Sequence, residues 1–154
     1  MLNRSQLILL ATAGSAAMML GAWGFQYIGH MAPCKLCYWQ RYPHLAAIAI
    51  GVVALALKTR ALAWLGALAA LATAGVGLYH TGVERQWWQG PTSCTSGSVD
   101  GMSAQELLNQ ILAAPLVRCD EVAWQMFGLS MASWNAVASL GLAAIWILAA
   151  TRRA

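Results

Sequence analysis

The sequence predicts an all-α membrane protein, a four-helix transmembrane bundle with one short and one long loop outside the bilayer on the same face. Three observations support this fold. Of the 154 residues, 60% are hydrophobic and only 9% are charged, against about 25% charged in an ordinary soluble domain. The apolar residues fall in long uninterrupted runs instead of amphipathic stripes, so the bilayer is the solvent they match. All five acids, Glu84, Asp100, Glu106, Asp120 and Glu121, lie between residues 84 and 121, which marks that stretch as a solvated excursion between spans. The length suits a single membrane domain over 1–154. The net charge of +4 comes from basic residues scattered singly and in pairs, without the stripe that nucleic-acid binding needs.

The first span is read over residues 7–28, an uncharged run of 22 residues and about 33 Å as a helix. It exceeds the apolar core of a signal peptide, and further spans follow. The second is harder, because Leu45 to Leu57 supplies only 13 apolar residues, about 20 Å. Extending it back to about Tyr38, giving 38–57, supplies the missing length. Gln40, Arg41 and His44 then enter its first turns, where Pro43 is tolerated because early N–H groups are unpaired anyway. Arg is thereby placed where Arg is expensive. Spans at 61–80 and 131–150 end at His80 and at Thr151, Arg152 and Arg153. Small residues at four-residue spacing, Ala13, Ala17 and Gly21 in the first span and Gly66, Ala70 and Ala74 in the third, predict close helix packing.

The loops cover about 29–37 and 81–130. In the long loop Ser103 reads as an N-cap with Glu106 three residues on, Met102 and Leu107 as a staple, and Pro115 beyond the end of the helix. Leu107, Leu108, Ile111 and Leu112 share one apolar face, which either lies on the membrane surface or packs on the rest of the loop. Trp87, Trp88, Trp124 and Trp134 fall near predicted interfaces as anchors. Four spans put both termini on one side, with Arg4, Lys58, Arg60, Arg152 and Arg153 in short segments. Lys35, Arg41, Arg85 and Arg118 lie opposite in longer ones, so the density of basic residues favours cytoplasmic termini.

Cys34, Cys37, Cys94 and Cys119 are the only cysteines, and this topology places every one outside the spans on the non-cytoplasmic face. An even count facing an oxidising compartment implies disulfides, with three pairings open. Cys34-Lys35-Leu36-Cys37 is a CxxC, a poor staple because its ring is short, but suited to reversible exchange. It opens the second span, where the helix dipole and Arg41, four residues after Cys37, favour a thiolate. Tyr38 in place of His after Cys37 excludes c-type haem attachment. The irregular gaps of 57 and 25 residues argue against zinc across all four cysteines, and no metal is expected. A fixed cation would assist a thiolate that passes electrons to a lipid-soluble acceptor, by stabilising negative charge on the acceptor's oxygen. A quinone fits that requirement, and His80 and His44 are further candidates for the same pocket.

Pro33 through Cys37 followed by Arg41, two separated loop cysteines, and Cys119-Asp120-Glu121 with Trp124, Phe127-Gly128-Leu129-Ser130-Met131 and Trp134 at the entry to the last span extend over nearly the whole chain. In these features the sequence resembles the bacterial disulfide bond formation protein B (DsbB) family. The resemblance implies a multi-pass protein of the bacterial inner membrane with cytoplasmic termini and periplasmic loops. It implies a protein-dithiol:quinone oxidoreductase using ubiquinone or menaquinone. Its partners would be a DsbA-like periplasmic thioredoxin-fold oxidase and the membrane lipid and quinone pool. Carried over by residue, it makes Cys37 the thiol that meets quinone, Cys34 its disulfide partner, and Arg41 the quinone-site arginine. Cys94 becomes the sulfur attacked by the partner and Cys119 the one that passes electrons toward Cys34, while His80 matches through a variable region. The departures are a compact second loop and Lys35 and Leu36 between the first pair. A vitamin K epoxide reductase relative would carry its CxxC toward the end of the bundle, and a membrane scaffold with two structural disulfides is the non-enzymatic alternative.

Overall fold

The computed structural model describes residues 2–57, 59–95, 101–113 and 117–152. Its elements are α1 (Arg4–Trp23), continued by a π-helical turn (Gly24–Ile28), α2 (Lys35–Leu57), α3 (Arg60–Glu84), α4 (Ala104–Ala113), strands β1 (Gln125–Met126) and β2 (Leu129–Ser130), and α5 (Met131–Thr151). Four helices, the first counted with its π turn, are long and apolar enough to cross a membrane, and they form the bundle of a multi-pass membrane protein. Of the sequence features above, Lys58, Asp100, Pro115 and Arg153 lie outside the described residues.

The starts of α1 and α2 are set by caps, not by hydrophobic length. Asn3 accepts the Gln6 N–H at 2.9 Å and donates its own N–H to Gln6 Oε1 at 2.9 Å, a reciprocal cap that starts α1 before the first apolar residue of the expected span. Helix α2 starts at Lys35, not near Tyr38, because the Cys34 carbonyl accepts the Tyr38 N–H at 3.2 Å and its sulfur accepts the Cys37 N–H at 3.3 Å. Two expectations change with it. Cys37 lies inside the first turn of the spanning helix, not outside it, and Pro43 falls in the third turn, where it withholds the N–H that Trp39's carbonyl would receive. Helix α3 runs on to Glu84, one turn past the expected end at residue 80, with His80 to Val83 buried.

Neighbour contacts run α1 to α2, α2 to α3, α3 to α5 and α5 back to α1, closing a ring. Along α2 the buried positions Leu36, Gln40, His44, Ala47, Gly51 and Ala54 recur every three or four residues, the period of one helix face. In α3 the expected row Gly66, Ala70 and Ala74 is buried. A Cβ on Gly66 would stand 2.6 Å from ring carbons of the fully buried Trp146, so glycine lets the indole lie across α3. In α1, by contrast, Ala13, Ala17 and Gly21 face outward. Leu7, Ile8, Ala11, Ser15 and Met19 turn inward instead. Both faces of α1 carry small apolar residues, so spacing alone did not distinguish them.

Two features of the long loop bear on the site. The hairpin pairs Gln125 with Ser130 and Met126 with Leu129, and it turns through Phe127 and Gly128 at φ 52° and 74°, the left-handed backbone a tight hairpin requires. Helix α4 carries the expected capping box, with the Ser103 N–H donating to Glu106 Oε2 at 2.8 Å. Its Leu107, Leu108, Ile111 and Leu112 are exposed, so among the described residues this face does not pack on the loop.

Candidate redox site

The four cysteines converge at one end of the bundle. Cys94 and Cys119 form a disulfide, and the Cys119 N–H donates to the Cys94 carbonyl at 2.7 Å. Cys34 and Cys37 are thiols with sulfurs 2.8 Å apart. Cys34, Cys94 and Cys119 share one buried cluster with Leu36 and Val83, and Cys37 packs against it. The second loop therefore folds back so that both pairs meet. The hydrogen bond to Cys37, and then burial, hold the Cys34 thiol well above its ordinary pKa. Cys34 is a poor thiolate unless a donor supports it.

A buried polar chain extends from these sulfurs into the bundle. His80 Nε2 lies 3.7 Å from Cys34 Sγ and 3.1 Å from the Cys119 carbonyl oxygen. Gln40 Nε2 is 2.8 Å from His80 Nδ1, Asn135 Nδ2 donates to Gln40 Oε1 at 2.8 Å, and Asn135 Oδ1 meets His44 Nε2 at 3.0 Å. Glu84 Oε1 is 3.8 Å from His80 Nε2, and its other oxygen accepts the Ser130 hydroxyl. Gln40, Thr73, Glu84 and Asn135 are the site residues the sequence reading did not single out. The available signal was a polar side chain inside or at the end of an apolar span.

Arg41 is tethered, not free to reach toward lipid. Its Nη1 donates to Gln26 Oε1 at 2.6 Å and its Nη2 to the Ala22 carbonyl at 3.3 Å. The guanidinium lies 5.3 Å from the Tyr38 ring centre, and among the described residues no carboxylate pairs with it. It borders a largely apolar cavity of about 350 Å³ that Cys37, His44 and His80 also line. Trp124, 5.2 Å from Phe25 between ring centres, and Trp134, donating to the Met126 carbonyl at 3.1 Å, form part of its wall. Only Trp87 and Trp88 keep the exposed placement expected of anchors.

A four-helix membrane bundle that gathers a CxxC and a disulfide-bonded loop pair at one end defines a class of membrane protein that handles disulfides. The chain belongs to the family described as "Disulfide bond formation protein DsbB", whose profile matches residues 4–149. Relatives named "Disulfide bond formation protein B" include one from Shewanella sp. (strain MR-4), 32% identical over 86% of this chain and 79% of its own. Another, from Hahella chejuensis, is 30% identical over 96% and 92%. A Rickettsia prowazekii protein named "Uncharacterized protein RP370" is 29% identical over 76% and 70%. No solved structure shows significant similarity to the chain. The family resemblance expected from the CxxC, Arg41 and the loop cysteines is thus borne out.

Proposed function

We propose that the protein is an inner-membrane thiol:quinone oxidoreductase that reoxidises a DsbA-like periplasmic dithiol protein. The observation that carries this reading is the convergence of both cysteine pairs beside an apolar cavity walled by Cys37 and Arg41. A partner thiolate attacks Cys94 Sγ and the Cys94–Cys119 bond breaks with its electron pair on Cys119. The partner's second thiol then resolves the mixed disulfide and leaves the loop pair reduced. Cys119 thiolate next attacks Cys34 of an oxidised Cys34–Cys37 pair, expelling Cys37 as thiolate. Cys94 thiolate attacks Cys119, restoring the loop disulfide and expelling Cys34. Two electrons have then moved to the first pair.

The cavity suits a quinone head group: its volume of about 350 Å³ falls in the range of small-molecule pockets, about 300–1,000 Å³, and its lining is mostly apolar. Ubiquinone or menaquinone, when bound, supplies a lipid-soluble acceptor for two electrons. Cys37 presents its sulfur from the first turn of α2, and Arg41, one turn on, holds a cation where negative charge would develop on the acceptor's oxygen. His44 and His80 border the same space. A DsbA-type partner is itself strongly oxidising, about −120 mV, so disulfide exchange alone would not drive the reaction. In this reading both termini are cytoplasmic, the loops are periplasmic, and the exposed apolar face of α4 rests on the membrane surface.

The test is anaerobic mixing of the purified protein with quinone and the reduced partner. One quinol should form per partner disulfide. Reduction of the loop disulfide with no quinol formed would overturn the proposal.

A further inference from the structure

The polar chain around His80 has only one consistent arrangement of hydrogens, because backbone carbonyls can only accept. The Leu36 carbonyl lies 3.3 Å from one end of the Gln40 amide, so that end is the nitrogen. The same nitrogen stands 2.8 Å from His80 Nδ1, which must therefore be bare. A second carbonyl gives the same answer. Thr73 donates its one hydroxyl hydrogen to the Gln40 carbonyl at 2.9 Å, so it accepts from Asn135 Nδ2 at 3.2 Å. That nitrogen also faces Gln40 Oε1 at 2.8 Å, which fixes the Gln40 amide in the same orientation. With Nδ1 bare, His80 is neutral and carries its hydrogen on Nε2. The Cys119 carbonyl, an obligate acceptor 3.1 Å away, requires the same.

One N–H thus faces both redox pairs: the Cys119 backbone at 3.1 Å and Cys34 Sγ at 3.7 Å. We infer that His80 is a catalytic hydrogen-bond donor for exchange between the two cysteine pairs, its Nε2–H holding Cys119 against the bundle and turning to Cys34 Sγ as that sulfur becomes a thiolate. Gln40 and Asn135 are positioning residues that act through it by fixing the tautomer. The inference rests on the two-pair relay proposed above and concerns its last exchange. There Cys94 thiolate attacks Cys119, the Cys94–Cys119 bond forms, the Cys34–Cys119 bond breaks, and the electron pair departs on Cys34. His80 keeps its proton throughout. It supplies a hydrogen bond to the sulfur of Cys34, a residue only 5% exposed, where little solvent is at hand to stabilise a charge. With its hydrogen on Nε2, the ring nitrogen nearest Cys34 and Cys37 is a donor and not a lone pair for a metal.

The test uses quinone-free wild-type and variant proteins in detergent. Each, with its first pair oxidised beforehand, is mixed with a large molar excess of reduced partner, whose mass action carries the exchange without quinone. Samples are acid-quenched at intervals, and the four cysteines are assigned by alkylation and mass spectrometry. His80→Ala should slow transfer from the loop pair to the first pair by about ten- to one-hundred-fold, the loss of one hydrogen bond to a charged group. His80→Gln, which can present an amide N–H near the Nε2 position, should recover most of that rate, a rescue that a space-filling role would not require. Gln40→Met should slow the same step and, in ¹⁵N-histidine spectra, show part of the His80 population protonated on Nδ1. Quinone reduction is measured separately in a Cys94→Ser/Cys119→Ser background with its first pair pre-reduced. Full-rate transfer between pairs in His80→Ala, or a defect confined to the quinone step, would overturn the inference while leaving the relay intact. Absence of transfer in the wild-type protein would overturn both.

Discussion

Arg41 reaches from α2 across to the π turn that continues α1, where its Nη1 donates to Gln26 Oε1 at 2.6 Å. An interfacial arginine extending toward lipid phosphates would leave the bundle. This one is turned toward α1 by the Gln26 amide and the Ala22 carbonyl, and its charge is held at the cavity wall.

Arg41→Gln should therefore preserve thiol exchange and weaken quinone use. Loss of a charge-assisted contact, about 1.5–3 kcal/mol, corresponds to roughly ten- to over one-hundred-fold in apparent quinone affinity or rate. Arg41→Lys should fall between, keeping a cation but losing the planar fork. Gln26→Leu, which leaves the charge and removes its tether, should give a smaller defect of the same kind. The measurement is quinone titration at saturating reduced partner; unchanged kinetics in Arg41→Gln would reduce this residue to an anchor.

The loop cysteines should give phenotypes that differ in kind. Cys94→Ala should abolish the covalent complex with a DsbA-like partner, whereas Cys119→Ala should let that complex accumulate, since Cys94 has no loop sulfur to return to. Non-reducing electrophoresis after mixing distinguishes the two. Equal trapping by both variants would show that Cys94 is not the attacked sulfur.

Gly66→Ala should destabilise the bundle. The added methyl would stand 2.6 Å from the Trp146 ring, which is fully buried between helices, and overpacking of this kind costs about 1–3 kcal/mol. Thermal unfolding in detergent reads the loss. Combining Gly66→Ala with Trp146→Leu should cost less than the sum of the two single changes, and strict additivity would argue against the contact as its origin.

Around Cys119, Arg118 grips Asp120 with both ends of its fork, Nη2 to Oδ2 at 2.7 Å and Nε to Oδ1 at 3.0 Å. The hydrogen bonding from Arg118 holds the Asp120 carboxyl below its ordinary value. Its contribution is therefore complete above the ordinary carboxylate range and is lost as pH falls through the depressed folded value. The clamp should persist from neutral pH down to about 4. Asp120→Asn should speed amide exchange at Cys119 about two- to five-fold at neutral pH, the scale of an exposed ion pair. A rate equal to wild type would show that the pair does not hold the loop.

The four spans were legible because uninterrupted apolar runs have no other inexpensive solution in water. The CxxC with Arg41 one turn on was equally plain, since both relations are local. The start of α2 was not, because a cysteine is not among the ordinary capping residues and Cys34 gave no cap signal. The inward face of α1 was hidden because lipid and protein interior are alike apolar, so residues on either side carry no contrast. The His80 chain was out of reach for another reason. Asn135 bonds Gln40 across 95 residues and Thr73 across 62, and no local period links side chains so far apart.

Where α1 gives way to the wide turn at Gly24–Ile28, the Gly29 N–H bonds the Gly24 carbonyl five residues back at 3.0 Å. A π turn amounts to one residue inserted into an α-helix. Deleting one of the residues between Gly24 and Gly29 would turn that pairing into an ordinary four-residue bond and let the helix regularise with the chain beyond it nearly in place, whereas a deletion within regular α1 would rotate everything downstream by about 100°. Only the deletion within the regular helix would carry Phe25 away from Trp124 and send the segment leading to Pro33 and Cys34 out in another direction. At this point of the gene the aim of the chain that delivers the first redox pair survives a lost codon, which it would not survive a turn earlier.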